Sequence, residues 1–233
     1  MARIKILTQP DDVTCGPTCL HAIYQYYGDK ISLQEVIKTV PQLEDGGGTL
    51  SALLGVHALK RGYNAKLYSY NLEVLDPTWF KSNVDIVEKL HQQSRVKTKK
   101  RLMTASSAYT KFLKAGGKLL NHELTPELLK SFFKNRQAVL AGLSATYLYR
   151  TAREHAVGNK TVYDDIKGQP CGHFVVLCGY DKLRRKVVVA DPYRENPVSQ
   201  NNFYTVRISR LVSAIMLGAL TYDANILVIE PKK

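Results

Sequence analysis

The sequence is poor in cysteine, in acidic residues and in long apolar runs, and these shortages exclude several classes of protein. Four cysteines among 233 residues are too few for a scaffold held together by disulfides, and a chain of this length can bury a sizeable core without them. No apolar run reaches the ~18 residues of a membrane-spanning helix. The segment 1–10 carries charges and lacks the apolar core of a secretory signal. We therefore expect a cytoplasmic protein with reduced thiols.

Acidic residues are outnumbered, with 20 Asp and Glu against 33 Lys and Arg, which gives a net charge of +13. Much of this excess lies in one basic run, residues 95–101 (Arg-Val-Lys-Thr-Lys-Lys-Arg). We expect this run to be a solvated, mobile loop; the alternative is a docking patch for an acidic partner. Aromatic residues do not alternate with the charges, and no zinc-finger or RNP motif is present. Nucleic acid is therefore not the expected partner.

The apolar pattern changes from a helical period to a strand period near residue 138. Helices are predicted at 15–28, 31–40, 49–61, 83–92, 105–115, from Thr125 onward, and at 210–217. Strands are predicted at 3–7, 65–70, 138–148, 174–180, 186–190, 203–208 and 225–229. A loop is predicted at 45–48. Segregated helices and strands indicate the α+β class.

This segregation predicts an N-terminal helical half packed against a C-terminal, mainly antiparallel sheet, with an active-site cleft between them. We expect one domain spanning residues 1–233. Its helical half comprises residues 1–70 and 121–137, and its sheet half comprises residues 138–233. Residues 71–120, which include the basic run, are expected to elaborate the helical half.

Cys15 stands at the start of the first predicted helix, in the segment Cys15-Gly16-Pro17. A nucleophilic cysteine reacts as its thiolate, and a helix N-terminus supplies N–H groups and a positive dipole that stabilise an anion. Gly16 would permit close approach of a substrate backbone, and Pro17 suits the first helical turn. The alternative is an inert cysteine buried beside the start of a helix.

His173 opens an apolar strand, from which its imidazole could face Cys15 across the cleft. Asp191 follows 191 − 173 = 18 residues later, an interval that fits a hairpin and would place the carboxylate beside His173, where it could orient the ring. The alternatives are a core histidine and an ordinary Asp-Pro turn. His155, beside Glu154, is the competing histidine, but no predicted strand positions it.

Gln9 precedes Cys15 by 15 − 9 = 6 residues. Its amide could fold back over the thiol and, with the Cys15 N–H, form an oxyanion hole. Cys19 and Cys178 are expected to be small packing residues. A zinc site at Cys15, Cys19, Cys171 and His173 is disfavoured, because a spacing of four is unlike the usual CxxC knuckle. No metal or cofactor is expected.

These segments together resemble the papain-like cysteine peptidases and, within them, the C39 (bacteriocin-processing) and C39-like group. The resemblance rests on Gln9 with residues 15–20, on residues 172–177, and on Asp191-Pro192-Tyr193, in that order. It implies a papain-like fold in which Cys15 is the nucleophile, His173 the general base and acid, Asp191 the orienting residue and Gln9 the oxyanion donor. Gly16 and Gly172 are the candidate substrate-binding positions.

The resemblance implies a thiol hydrolase that cleaves a peptide or isopeptide bond in a peptide or protein substrate. Typical C39 domains are shorter and are fused to a transporter, whereas this chain has extra residues at about 71–130. We therefore expect a stand-alone hydrolase whose substrate differs from a double-glycine leader. The alternatives are an acyltransferase or transpeptidase that uses the same acyl-enzyme, and a catalytically silent peptide-binding module.

Overall fold

The computed structural model describes residues 4–43, 48–158 and 160–232; most of the predicted loop at 45–48 lies outside them. The helices are α1 Cys15–Tyr26, α2 Leu33–Thr39, α3 Ser51–Lys60, α4 Ile86–Val96, α5 Lys100–Lys114, α6 Pro126–Lys134, α7 Ala145–Tyr149 and α8 Ile208–Leu217. The strands are β1 Tyr63–Ser69, β2 Lys118–Leu120, β3 Val139–Ser144, β4 Glu154–Val157, β5 Lys160–Tyr163, β6 Gly172–Asp181, β7 Lys186–Ala190, β8 Phe203–Arg207 and β9 Asn225–Pro231.

Seven strands form one sheet in the order β2-β1-β9-β3-β6-β7-β8. Every neighbouring pair is antiparallel except β1 with β2. The prediction of an α+β fold with a mainly antiparallel sheet is therefore confirmed. Strands β4 and β5 form a separate hairpin.

Helices cover both faces of this sheet, which explains the continuous apolar run in β6. Successive strand side chains point to opposite faces. Phe174 and Val176 accordingly join a core with α1, α3 and α5, whereas Val175 and Leu177 join a core with α6, α7 and α8. As the predicted strand at 65–70 and helix at 210–217 indicate, β1 comes from the first half of the chain and α8 lies among the C-terminal strands. The assignment of residue ranges to a helical half and a sheet half stays a prediction.

One predicted strand is absent from the described residues, and another is shorter than predicted. The described part of the segment 3–7 has no regular secondary structure, although its alternating isoleucines suggested a strand. The strand predicted at 138–148 ends at Ser144, whose hydroxyl caps α7 by accepting from the Tyr147 N–H at 3.3 Å. A continuous apolar run does not distinguish a buried strand from a buried helix, so the sequence pattern missed this boundary.

Only residues 97–99 of the basic run form a loop; the residues on either side belong to helices. Arg95 lies in the last turn of α4, which ends at Val96, and Arg101 lies in the first turn of α5, with three residues between the two helices. Lys99 pairs with Glu73 at 2.9 Å, and the Arg101 guanidinium donates to the Thr221 carbonyl at 3.1 Å. An acidic partner at this run stays a prediction. Among the described helices, none combines the length and apolarity that crossing a bilayer requires.

Candidate active site

Packing between α1 and β6 sets the position of Cys15. The buried Cys19 thiol donates to the Phe174 carbonyl at 3.2 Å, so the prediction that Cys19 packs in the core is confirmed. Residues four apart lie on one helix face, and Cys15 therefore faces the residue that precedes Phe174 on β6, which is His173. Cys15 itself is half-buried and unoxidised.

Gly16 lies in the interior rather than on the cleft surface. A Cβ there would lie 2.7 Å from the Thr49 methyl group and 3.2 Å from the Phe174 ring. The absence of a side chain thus lets α1 approach the start of α3 and strand β6. This packing accounts for the glycine without a substrate contact.

His173 is buried and lies between Cys15 and Asp191. Its Nε2 is 2.8 Å from Asp191 Oδ1. The expected hairpin is present, since β6 and β7 pair through Val176 and Ala190 and Asp191 directly follows β7. Burial lowers the pKa of His173, but the charge of Asp191, the hydrogen bond to it, and Cys15 outweigh burial and raise that pKa above its usual range. The Asp191 carboxylate therefore favours the charged form of the His173 ring.

Asp191 is fully buried and accepts more hydrogen bonds than the one from His173. The hydroxyls of Tyr149 and Tyr204 donate to Oδ2 at 2.8 and 2.7 Å, and the Tyr193 N–H donates to Oδ1 at 2.9 Å. Burial raises the pKa of Asp191, but the His173 charge and these donors lower it below its usual range. A buried carboxylate is stable only when it is paired and hydrogen-bonded in this way. Sequence reasoning missed both tyrosines, and no local motif marks them.

Two hollows flank His173. One, of about 350 Å³, contains Cys15, Arg101 and Asp223; the other, of about 510 Å³, contains Gln9 and Tyr149. They meet at His173, so the cleft extends to both sides of the imidazole.

The β4–β5 hairpin, which the sequence reasoning did not predict, forms a wall of both hollows through Glu154 and Thr161. Backbone hydrogen bonds of 3.0 and 2.7 Å between Glu154 and Gln169 anchor it. Side chains alternate along a strand, so His155, next to Glu154 on β4, points away from the cleft. The competing histidine is therefore not placed near Cys15.

Gln9 is tied to the Asp191 corner. Its backbone N–H donates to the Pro192 carbonyl at 2.9 Å, and its side-chain amide donates to the Asp11 carbonyl at 2.8 Å. An amide nitrogen carries two hydrogens, and this bond uses one of them. Gln9 thus lines the same hollow as His173, and one hydrogen of its amide is not used by the bond to Asp11.

Asp223 and Arg101 are cleft residues that the sequence reasoning missed. Asp223 is buried, and burial outweighs a hydrogen bond from Thr221 and the charges of Arg101 and His173, so that its pKa rises to about 7. The Arg101 Nε is buried and has no hydrogen-bond partner among the described residues. No sequence motif marks either residue, because they approach the site only through the packing of α5 and the loop before β9.

Gly172 lines the cleft and packs against the Asp223 carboxylate. A Cβ at this position would overlap the Asp223 carboxylate and lie 2.7 Å from Thr221 Oγ1. We expect Gly172→Ala to displace the start of β6 and lower peptide turnover. Overpacking costs about 1–3 kcal/mol, which corresponds to a Tm lower by roughly 2–12 °C in a chain of this length.

The double variant Gly172→Ala/Asp223→Ala tests the cause, because it removes the overlapping carboxylate. Its Tm should recover most of the loss seen in the single variant. A double variant that is as unstable as Gly172→Ala would contradict the overlap with Asp223.

Within the described ranges, no three His, Cys, Asp or Glu side chains lie close enough together to hold a metal ion. The geometry instead shows a thiol, an imidazole and a buried carboxylate in series. That arrangement can generate a nucleophilic thiolate and can deliver a proton to a leaving group.

Comparisons with known proteins identify the family of the chain and similar folds. The profile of the Peptidase_C39 like family matches residues 1–210. A structure described as a C39-like peptidase from Bacillus anthracis superposes with a TM-score of 0.54 at 14% identity, covering 100% of this chain and 97% of that one. The peptidase domain of Streptococcus ComA, a bi-functional ABC transporter, gives 0.49 at 12% identity, covering 99% and 100%. None of the curated proteins compared with this sequence matches it.

Proposed function

The chain belongs to the Peptidase_C39 like family, and we propose that it hydrolyses a peptide or isopeptide bond through an acyl-enzyme formed on Cys15. One observation carries this proposal. His173 is buried between Asp191 and Cys15, in contact with both. A histidine with a purely structural role has no need of a thiol beside its ring, whereas an imidazole held between a carboxylate and a thiol can take the thiol proton and form the thiolate–imidazolium pair.

The contact between Asp191 and His173 determines which nitrogen of the His173 ring can exchange a proton with Cys15 or the substrate. Asp191 occupies Nε2, so Nδ1 faces Cys15. The Cys15 thiolate attacks the substrate carbonyl carbon, and the C–N bond breaks as the imidazolium gives its proton to the leaving amine. A water then attacks the acyl-enzyme and gives a proton to the neutral imidazole. The second tetrahedral intermediate collapses to the carboxylic acid product and restores the thiolate and the imidazolium.

Asp191 keeps the imidazole in the required tautomer and stabilises its charged form. Cys15, His173 and Asp191 act in series. The hydroxyls of Tyr149 and Tyr204, which donate to Asp191, fix the position of its carboxylate. We assign Gly172 to the cleft surface that the substrate backbone contacts. Gly16 is assigned to packing.

The proposed function is tested by thiol labelling, which needs no substrate. Burial raises the pKa of the other three cysteine thiols, Cys19, Cys171 and Cys178. At about pH 6, where an unperturbed thiol is almost wholly protonated, limiting iodoacetamide should therefore alkylate Cys15 first. Peptide mapping by mass spectrometry identifies the labelled residue.

His173→Ala is the control for this labelling, because it removes the cation that stabilises the thiolate. Alkylation of Cys15 in this variant should become at least about tenfold slower at the same pH, equivalent to losing ~1.4 kcal/mol of thiolate stabilisation. Equal labelling rates in the two proteins would remove His173 from the mechanism.

Gln9 is proposed to donate its second amide hydrogen to the oxyanion, together with the Cys15 N–H, which has no acceptor within α1 because it lies in the first turn. Gln9→Ala should lower kcat by about 10²–10³, the usual effect of removing one such donor, and change KM little. Thr8→Ala, an exposed neighbour, is the matched control. A rise in KM at constant kcat would instead assign Gln9 to ground-state binding.

A further inference from the structure

A second cavity, of about 1090 Å³, lies at the opposite end of β6 from the catalytic cleft. Tyr180, on its wall, follows His173 by 180 − 173 = 7 residues, which is about 23 Å at the rise of a β-strand. Its volume slightly exceeds that of typical small-molecule sites, which enclose about 300–1,000 Å³. This cavity is therefore separate from the peptidase site and is large enough for a ligand of its own.

Positive charge dominates the wall of this cavity. Five of its lining residues are cationic, namely Lys130, Lys134, Arg136, Lys182 and Arg185, and no Asp or Glu is among the described residues that line it. Lys130 pairs with Glu127 at 3.3 Å. The other four have no carboxylate partner among the described residues. Those four side chains are exposed, and Glu127, which also interacts with the charge of Arg185, is one carboxylate near five cations. Like charges repel one another, and an anion in the cavity would supply the missing counter-charge.

Two of these cations occupy a backbone conformation that disfavours arginine. Arg136 has φ 55° and Arg185 has φ 52°, in the left-handed region where Gly and Asn are the favoured residues. Both side chains line the cavity, one from the turn after α6 and the other from the β6–β7 turn. Residues held in disfavoured backbone conformations concentrate at binding sites. Arginine is therefore present at two positions where the backbone conformation alone would favour Asn.

Aromatic side chains complete the wall. Tyr26, Phe133 and Tyr180 line it and are half-buried. The Tyr26 hydroxyl donates to the Arg136 carbonyl at 2.9 Å and so fixes this turn, and the Lys130 ammonium lies 5.5 Å from the Tyr180 ring centroid. Aromatic rings and guanidinium planes bind planar groups by stacking. The cavity therefore offers an apolar, planar surface beside an array of anion-binding groups.

From this combination we infer that the cavity binds a small molecule that joins phosphate groups to a planar ring, the chemistry of a nucleoside di- or triphosphate. The guanidinium groups of Arg136 and Arg185 bind phosphate oxygens in a bidentate manner, the lysines supply further charge, and the aromatic residues hold the ring. This site is independent of the proposed peptidase activity.

Isothermal titration calorimetry of the purified full chain tests the inference with three probes: ATP, inorganic triphosphate and adenosine. ATP should bind with one site per chain, and more tightly than either fragment, because only ATP uses both the cations and the aromatic wall. Cys15→Ala should bind ATP as the wild type does, so failure of the peptidase proposal leaves this test intact. Triphosphate binding as tight as ATP would overturn the assignment of a planar group.

Arg136→Asn and Arg185→Asn are the informative variants, since Asn suits the left-handed conformation and the turns should fold. Each should weaken ATP binding by about tenfold or more, the loss expected for a charge-assisted hydrogen bond, while the Tm stays the same or rises. Arg150→Asn is the matched control, because Arg150 has φ 59° and lies outside this cavity; it should bind ATP normally.

Three results would overturn the inference. These are no heat of binding with ATP at millimolar concentration, equal weakening by Arg150→Asn, and a single-stranded oligonucleotide that displaces ATP and binds more tightly than it. The last result would assign the cations to a nucleic-acid surface.

Discussion

Cys15→Ala is expected to lower kcat for peptide hydrolysis by about 10⁴-fold or more, because removing the nucleophile leaves only substrate binding and the oxyanion hole. The fold should be preserved, since Cys15 is half-buried in the first turn of α1 and alanine is the best helix former. The rate is measured as product release from a peptide substrate that a library screen with the wild type has identified. Thermal unfolding provides the Tm.

Cys178→Ala is the matched control for this variant, because it removes another half-buried thiol that is remote from His173. It should retain the wild-type turnover. Hydrolysis by Cys15→Ala within tenfold of the wild type would exclude the acyl-enzyme. If neither the wild type nor Cys15→Ala hydrolyses a peptide that both bind equally well, the chain is a silent peptide-binding module.

Asp191→Asn is expected to lower kcat by about 10³–10⁴, comparable to the loss when a triad carboxylate is replaced by its amide. The substitution removes the charge that raises the pKa of His173, so the imidazole should lose its proton at lower pH than in the wild type. NMR of the His173 ring across a pH titration reads this shift directly, and a purely structural role for Asp191 would not produce it.

The same substitution should also destabilise the fold, because two buried tyrosine hydroxyls lose a charged acceptor. Replacing one buried, hydrogen-bonded charge costs about 3–5 kcal/mol. A group whose folded pKa is lowered contributes stability above its unfolded pKa, near 3.9, and loses that contribution as the pH falls through the lowered value. The wild-type advantage over Asp191→Asn should therefore be present at neutral pH and shrink on acidification.

Tyr204→Phe separates the effect of Asp191 on the His173 titration from its effect on the stability of the fold. It removes one donor to Asp191 and keeps the charge beside His173. We expect a modest loss of stability of about 1 kcal/mol, with the His173 titration almost unmoved. If Tyr204→Phe lowers kcat as much as Asp191→Asn does, the carboxylate acts through its position rather than through its charge.

Most of the site could be predicted from the spacing of residues that lie close together in the sequence. The interval between His173 and Asp191 predicted a hairpin, and the pairing of β6 with β7 confirms it. The placement of Cys15 at a helix start likewise follows from the residues around it, and α1 begins there. Such features depend on the chain within about 20 residues, where strand rise and turn length limit the geometry.

The partners of Asp191 could not be predicted in this way. Tyr149 and Tyr204 come from α7 and β8, on separate elements of the fold, and each looks like an ordinary core aromatic in the sequence. Arg101 reaches Thr221 across 120 residues. Contacts at that separation depend on the order of strands in the sheet and on which helix covers which face, and neither is encoded in a local pattern.

The sequence by itself therefore determined the fold class, the helix that begins at Cys15, the β6–β7 hairpin and the residue types that suggest a thiol peptidase. Tertiary structure alone decided that helices cover both sheet faces, that β4 and β5 form a wall of the cleft, that Asp223 lines this cleft, and that five cationic residues line a second cavity. The physical reason is that hydrogen bonding and side-chain periodicity act over a few residues, whereas burial and charge are summed over every element that packs into the same space.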